Sequence, residues 1–269
     1  MNTTQAQSAD LDWAFEHIPL LAALERGRFE VARLPGFTNR NYRLYSDQHD
    51  WVLRIPRAGT NNLIDRAAEA HNQNRAYQLG LAPPTAWCNR TGVSLTATLR
   101  NTRNLRRADF DAAPRRQQVA DALRRLHDSG ERFEGGLSLR HTLQQHFDLL
   151  DADGQEKLSP RMEQAMRILS LLESRDLAPV PAHRDPVCGN LLLDDERLWL
   201  IDWEYSAMAS PYWDLAILCN DADLDLRQSR DLLRAYCADG KAMQESSLFD
   251  YRELLKLLND CWMAAFSSA

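Results

Sequence analysis

Long apolar runs and paired cysteines are both missing from this sequence. No apolar run approaches the ~20 residues that cross a bilayer, and the N-terminus lacks the basic and apolar regions of a secretion signal. The five cysteines are odd in number and show no C-x-x-C spacing, so neither a disulfide framework nor a zinc site is indicated. We therefore expect a reduced, cytoplasmic protein with no membrane partner.

Basic residues are not in excess either. The formal net charge is −6, whereas a surface that binds nucleic acid normally shows a basic excess. This balance argues against a nucleic-acid partner and is compatible with a small cationic substrate. The glycine-rich pattern G-x-G-x-x-G, which places backbone N–H groups around phosphates, is also absent.

The composition that remains is that of an ordinary globular protein. Hydrophobic residues make up 44% and charged residues 26% of the 269 positions, which is long enough for two lobes. Strand patterns dominate up to about residue 100, and helical patterns dominate after it. We expect an α+β protein with an N-terminal lobe over residues 1–100 and a C-terminal lobe over residues 101–269.

The most informative stretch lies between residues 183 and 214. Two short apolar strands separated by a polar turn predict a hairpin. Asp185 and Asn190 precede the first strand and Asp202 follows the second, so the hairpin would present all three at one end. Phosphoryl transfer needs such a set, because a carboxylate orients the attacking hydroxyl while Asn and Asp hold the Mg²⁺ that bridges the phosphates.

Upstream, a basic residue and an acidic residue occur in the order that a phosphate clamp requires. Arg54 lies in the centre of a predicted strand, and Glu69 lies in the helix predicted after it. The polar turn 35–41, which contains Thr38 and Asn39, can place backbone N–H groups over phosphates. For each of these features the alternative is a solvated surface charge or an ordinary surface hairpin.

Local signals also predict several helical features. Asp10 can cap an N-terminal helix, and the pair 159–160 (Ser-Pro) would open a later one. His127, His141 and His146 fall on helical segments, but their spacing does not match a metal site. We expect surface or capping roles for these histidines.

Four segments together resemble the choline/ethanolamine kinase and aminoglycoside phosphotransferase superfamily, which shares the two-lobed protein-kinase-like fold. They are residues 36–42, residues 52–55 with Glu69 and 79–83, residues 183–190, and residues 201–205 with 210–216. The last two are highly specific together, since they read H-x-D-x-x-x-x-N and then Ile-Asp-Trp-Glu-Tyr. The resemblance implies a small antiparallel-sheet N-terminal lobe, a mostly helical C-terminal lobe, and the use of ATP and Mg²⁺.

The resemblance also assigns roles in and around residues 183–190, which correspond to the catalytic loop of the family. Asp185 is implied to be the catalytic base, and Asn190 and Asp202 are implied to bind Mg²⁺. We expect His183 to buttress the loop rather than to take the proton, and Asp214 to hold the loop from the following helix.

In the N-terminal lobe, Arg54 takes the place of the usual kinase lysine, as it does in choline-kinase-like members. A fixed guanidinium can still clamp phosphate oxygens in a bidentate way. Glu69, Thr38 and Asn39 complete the expected nucleotide site. The nucleotide base is expected under the polar connection between Arg100 and Asp109, where it would bond to the backbone of that connection.

Aromatic residues near the hairpin and on a late helix indicate a cationic acceptor, because a ring face attracts a quaternary ammonium. The candidates are Tyr205, Glu204, Trp213 and Trp262, with Trp203 and Tyr212 as further aromatic residues. Tyr205 and Trp262 match positions that line the choline pocket of choline kinases, and Glu204 would add negative charge. A core role stays open, since tryptophan at helical spacing is most often core.

We therefore expect an ATP- and Mg²⁺-dependent small-molecule kinase that phosphorylates choline, ethanolamine or a similar amino-alcohol. Thiamine kinase, which also carries an Ile-Asp-Trp-Glu-Tyr segment, is one alternative. A non-catalytic kinase-like binding protein and an aminoglycoside phosphotransferase are the others. The last would need an acidic cleft, for which Asp221, Asp223, Asp225 and Asp239 offer carboxylates. We expect the first three, which alternate in a polar stretch, to lie in a solvated loop.

Overall fold

A computed structural model of the chain describes residues 3–36, 39–57, 64–174, 178–195, 197–237, 240 and 243–266. The N-terminal part is built on a five-stranded antiparallel sheet of order β1-β2-β3-β5-β4. Its strands are β1 (Glu30–Leu34), β2 (Asn39–Tyr45), β3 (Asp50–Pro56), β4 (Thr85–Cys88) and β5 (Ser94–Ala97). Helix α3 (Arg66–Gln78) joins β3 to β4, and the side chain of Asp65 caps it.

Two N-terminal helices, α1 (Thr3–His17) and α2 (Pro19–Ala22), pack their apolar residues against this sheet. The expected cap at Asp10 is wrong, because α1 begins seven positions earlier in the chain, at Thr3. Asp10 instead accepts hydrogen bonds from the Arg40 guanidinium and the Tyr42 hydroxyl on β2. Asp10 therefore joins α1 to β2 and does not cap a helix.

The C-terminal part is mostly helical. Its helices are α4 (Ala113–His127), α5 (Leu139–Asp148), α6 (Ala152–Glu173), α7 (Pro211–Asp221), α8 (Leu226–Tyr236) and α9 (Glu245–Phe266). They enclose one apolar cluster, which also takes in Leu81 and Ala82 from the segment after α3. No helix in the described ranges is long and apolar enough to cross a membrane.

The start predicted for α6 at residues 159–160 is wrong. The helix begins at Ala152, where the side chain of Asp151 accepts the Gly154 N–H, and it continues through Pro160. Leu158 and Met162 are buried on either side of the proline. Packing of this apolar face outweighs the one backbone hydrogen bond that Pro160 removes.

Short strands flank the predicted catalytic loop, residues 183–190. The predicted hairpin is confirmed as β8 (Leu191–Leu193) and β9 (Leu198–Leu200), and β6 (Arg103–Asn104) pairs with β8. Strand β7 (Val180–Ala182) pairs with β10 (Ala207–Ala209). Residues 183–190 thus form a loop between β7 and β8, each of which is paired with other strands, and Asp202 lies just after β9. A sheet in the first part and helices in the second agree with the expected α+β class.

Candidate active site

A cleft of about 960 Å³ is lined by residues of both the sheet and the helical part. It brings together most of the predicted site residues that the structure describes. Those that line it are Arg54, Asn39, Asp185, Asn190, Asp202, Glu204, Tyr205, Trp213 and Trp262. His183 and Glu69 lie behind this lining, and Thr38 lies outside the described residues.

Asp214, at the start of α7, fixes the catalytic loop from below. Its two carboxylate oxygens accept the backbone N–H groups of His183 and Arg184 at 2.9 and 2.7 Å, as expected for a residue that holds the loop. His127 bonds to the same carboxylate at 3.0 Å. Burial alone would raise the pKa of Asp214, but the His127 hydrogen bond and the nearby histidines keep it below its usual value.

His183 buttresses the loop through both ring nitrogens. Its Nε2 donates to the carbonyl of Ile201 at 3.0 Å, so its Nδ1 accepts the Asp185 N–H at 3.3 Å. Complete burial lowers the pKa of His183 to about 4. A neutral ring with both nitrogens occupied is a support for Asp185 rather than a proton acceptor.

Asp185 and Asn190 are joined side chain to side chain. The Asn190 amide nitrogen donates to Asp185 Oδ2 at 2.9 Å and to the Asp185 carbonyl at 3.0 Å, so its amide oxygen is not used in this pair. Burial, followed by the carboxylates of Asp202 and Glu204, holds the pKa of Asp185 well above its usual range. A carboxylate made more basic in this way suits proton acceptance.

Asp202 follows β9 in a left-handed backbone conformation, with φ at 65°. This conformation is uncommon for a residue other than glycine and is concentrated at functional sites. Burial and the neighbouring Glu204 raise the pKa of Asp202 to about 7. Its Oδ1 lies 3.4 Å from Nη1 of Arg54, so the catalytic end of the hairpin meets the N-terminal sheet here.

Arg54 forms the expected ion pair with Glu69, whose side chain is almost fully buried. The predicted strand-then-helix order therefore does bring the two side chains together. Arg54 Nη2 also lies 3.4 Å from the carbonyl of Gly92. The guanidinium is thus fixed at the cleft wall, with Glu69 behind it.

Arg66 completes this network and was missed by sequence reasoning. It bonds to Glu69 at 2.8 Å and lies 3.4 Å from Glu204, which joins α3 to the helical part. Gly92 makes room for it, since a Cβ at that position would lie 2.5 Å from the Arg66 side chain. Arg66 and Glu204 are 138 positions apart, so no local spacing could reveal their contact.

The expectation of surface or capping roles is wrong for two of the three histidines. His127 is buried between Asp214 and the Tyr236 hydroxyl. His146 is also buried, lines the cleft, and bonds through Nδ1 to the Thr142 carbonyl. Only His141 is exposed, where its ring meets the Ser138 cap of α5. Tertiary packing on α4 and α5, which helical spacing did not disclose, accounts for both corrections.

The aromatic candidates separate into two groups. Tyr205, Trp213 and Trp262 line the cleft, and burial together with the Glu204 carboxylate raises the pKa of the Tyr205 hydroxyl. Trp203 and Tyr212 are buried in the core, away from the cleft lining. Trp203 packs against the rings of His183 and Phe133, so it supports the loop from behind.

Three of the candidates that line the cleft, Asn39, Glu204 and Trp213, contact other side chains of the protein. Asn39 donates to Glu204 at 3.3 Å, and Glu204 also lies near Arg66. Trp213 is stacked under the Arg184 guanidinium, whose Cζ lies 3.9 Å from the ring centroid. Glu204 therefore links the sheet to the helical part as well as lining the cleft.

The donor set fits a divalent cation. The raised pKa values of Asp185 and Asp202 reflect burial and crowding of carboxylates, which a cation between Asn190 and Asp202 would relieve. No group of three or more His, Cys, Asp or Glu side chains that could hold a metal occurs among the described residues. Mg²⁺ in proteins usually keeps several waters and takes phosphate oxygens beside one or two carboxylates, so it does not need such a group.

Comparisons with known proteins agree with this arrangement. A family model described as "Phosphotransferase enzyme family" matches residues 30–249. Protein LicA of Haemophilus influenzae is 32% identical over 242 residues, covering 88% of this chain and 71% of that protein.

Two solved structures are similar over nearly the whole chain. A choline/ethanolamine kinase family protein from Mesorhizobium loti is 29% identical with a TM-score of 0.77, covering 95% of this chain and 84% of that one. The choline kinase LicA from Streptococcus pneumoniae is 20% identical with a TM-score of 0.83, covering 99% and 92%. The two-lobed protein-kinase-like fold expected from the sequence is thereby confirmed.

Proposed function

The chain belongs to the phosphotransferase enzyme family, and we propose that it transfers the γ-phosphate of ATP to a hydroxyl of choline, ethanolamine or a similar amino-alcohol. One observation carries this proposal: Asp185, Asn190, Asp202 and Arg54 line a single cleft, with Glu69 directly behind Arg54. The two similar structures, a choline/ethanolamine kinase family protein and the choline kinase LicA, support the choice of acceptor.

In the proposed reaction, the acceptor hydroxyl lies against the Asp185 carboxylate. As the acceptor oxygen forms its bond to the γ-phosphorus and the bond to the ADP oxygen breaks, the hydroxyl proton passes to Asp185. The hydrogen bond from Asn190 fixes the direction of that carboxylate. Preorganisation of this kind lowers the barrier without further covalent chemistry.

Asn190 and Asp202 would hold Mg²⁺, which when bound neutralises charge on the phosphates. Arg54, backed by Glu69, would clamp phosphate oxygens from the sheet side. Asn39 lines the same wall and steadies Glu204. We place the nucleotide base beneath the connection between Arg100 and Asp109, where Thr102 and Asn104 line the cleft, and the boundary between the lobes near residue 100.

The acceptor side of the cleft combines aromatic rings with negative charge. Tyr205 and Trp262 line it together with Glu204, and such a surface suits an ammonium group.

The acidic candidates for an aminoglycoside site are used elsewhere: Asp221 accepts the Cys188 N–H, Asp225 caps α8 and Asp223 pairs with Arg107. None of these three carboxylates lines the cleft; Asp239 lies outside the described residues.

None of the five cysteines forms a disulfide, which supports a reducing location such as the cytoplasm, where ATP is also available. The five comprise two buried and three partly or fully exposed thiols.

The test is a phosphate-transfer assay with purified protein, ATP, Mg²⁺ and separate acceptors. The panel contains choline, ethanolamine, thiamine and an aminoglycoside, and mass spectrometry detects the phosphorylated product. We expect product from choline or ethanolamine, and a loss of about 10²- to 10⁴-fold in kcat for Asp185→Ala, since a positioned proton acceptor contributes that much.

Asp231→Ala is the matched control, because this carboxylate on α8 lies outside the cleft lining. Product from thiamine alone, or from the aminoglycoside alone, would replace the proposed acceptor with that compound. No product above the Asp185→Ala background with any acceptor would refute the proposal for this panel.

A further inference from the structure

The acceptor side of the cleft contains a buried cation to which the proposed chemistry gives no role. Arg184, one residue before Asp185, is only 8% exposed and lines the cleft. Its Nη2 donates to the Thr142 hydroxyl at 3.2 Å, while its Nε has no hydrogen-bond partner. The described part of the chain supplies no carboxylate in an ion pair with it. Its charge is therefore uncompensated by a direct partner.

The guanidinium is fixed on the face of an aromatic ring. Its Cζ lies 3.9 Å from the centroid of Trp213, and the Trp213 indole N–H donates back to the Arg184 carbonyl at 3.2 Å. One face of an aromatic ring attracts one cation. Because Arg184 already covers this face, Trp213 cannot offer it to the ammonium group of an acceptor.

This loss affects different ammonium groups to different degrees. A quaternary ammonium has no N–H, so aromatic faces are its main specific partners, whereas a primary ammonium has three donors. His146 lines the same cleft, and because its Nδ1 donates to the Thr142 carbonyl at 2.8 Å, the neutral ring keeps Nε2 as an acceptor. A primary ammonium can use such an acceptor, but a quaternary one cannot.

We propose that Arg184 is a specificity-determining residue, which biases the acceptor site towards a primary ammonium and away from a quaternary one. It does so by occupying the face of Trp213 and by adding a fixed positive charge beside the acceptor. The inference rests on the proposed function, since it concerns the choice between ethanolamine-like and choline-like acceptors.

The experiment measures the ratio of kcat/KM for choline to kcat/KM for ethanolamine. The neutral variants are Arg184→Asn and Arg184→Gln. Asn is chosen because Arg184 has φ at 65°, a backbone region that Asn tolerates well. We expect the ratio to rise by about fivefold or more, the effect of one cation–π contact of moderate strength. Arg184→Lys keeps the positive charge, so its ratio should stay near that of the wild type.

A second variant leaves Arg184 in place. If Arg184 covers the ring, Trp213→Leu should leave the choline-to-ethanolamine ratio within about twofold of the wild type; a larger selective loss of choline would show that choline uses this ring. The unfolding temperature and the KM for ATP are measured for every variant.

An unchanged or lower ratio in folded, active Arg184→Asn or Arg184→Gln overturns the inference and leaves the proposed function standing. If both neutral variants fail to fold, the Trp213→Leu ratio decides. Absence of turnover with either acceptor in the wild type defeats the proposed function itself, and the inference with it. The two failures are therefore distinguishable.

Discussion

The candidate catalytic loop (residues 183–190) and the candidate phosphate clamp (Arg54, Glu69 and Arg66) both border the cleft, but they are held in different ways. In the loop, one buried carboxylate, Asp214, binds backbone N–H groups. In the clamp, guanidinium groups and carboxylates pair side chain to side chain, and Arg66 reaches Glu204 in the other half of the protein. The hydrogen bonds from Asp214 hold the backbone conformation of the loop, whereas the ion pairs around Arg54 neutralise buried charges. Changes in the loop should therefore affect folding and turnover, and changes in the clamp mainly nucleotide affinity.

Among the changes that test this comparison, the largest effect should come from Asp202, where the two regions meet. In Asp202→Asn we expect kcat to fall by about 10²- to 10³-fold, because a charged group that stabilises the transferred phosphate is lost. The unfolding temperature should not fall, since burial already raises the pKa of this carboxylate to about 7 and disfavours its charged form. Steady-state kinetics and thermal unfolding check both statements. Wild-type activity in this variant would remove Asp202 from the site.

Replacement of Asp214, which holds the backbone of the loop, tests the role given to backbone hydrogen bonds. Asp214→Asn should lower the free energy of unfolding by about 3 kcal/mol, because an amide nitrogen would face the buried N–H groups that the carboxylate now accepts. Asp225→Asn is the matched control, since Asp225 caps α8 and Asn caps helices equally well. Denaturant unfolding measures both. Equal stability of the two variants would contradict the role given to Asp214.

The pH dependence of stability should reveal the neutral, buried His183. Its pKa is about 4 in the folded protein and about 6.5 in an unfolded chain, so the unfolded state binds the extra proton between these values. The stability that the neutral His183 contributes to the folded state is fully present above pH ~6.5. It is lost as the pH falls from ~6.5 towards ~4. The destabilisation caused by His183→Asn should thus shrink by up to about 3 kcal/mol from pH 7 to pH 4. Denaturant unfolding at several pH values measures it.

His141→Asn serves as the control for that series, because His141 is exposed on α5. The change between pH 7 and pH 4 in the effect of His183→Asn on the free energy of unfolding is read against the change measured for His141→Asn. A pH-independent effect of His183→Asn would mean that this ring is not held neutral by burial.

The smallest effect should come from the clamp. In Arg54→Gln we expect the KM for ATP to rise by about tenfold, the value of one charge-assisted hydrogen bond. Arg40→Gln is the matched control: it also removes an ion-paired arginine from the sheet, but Arg40 pairs with Asp10 outside the cleft lining. Similar KM values for the two variants would show that Arg54 does not contact the nucleotide.

The same contrast explains what the sequence could predict. Asp185, Asn190 and Asp202 lie within one hairpin and its approach, so local rules for strands and turns were enough to bring them together. Arg54 and Glu69 follow each other as strand and helix, and their pairing was predicted from that order. Arg66 and Glu204 depend on packing between distant segments, as does the burial of His127 against Asp214, and neither leaves a local pattern.

The central claim is that the two regions act on one Mg²⁺-bound nucleotide. Isothermal titration of ATP into the protein, with and without Mg²⁺, tests it most directly in the wild type and in Asp202→Asn. We predict that Mg²⁺ tightens ATP binding in the wild type and that this gain is lost in Asp202→Asn. ATP binding that does not depend on Mg²⁺ in the wild type, or the same gain in both proteins, would contradict the claim and favour a non-catalytic binding protein.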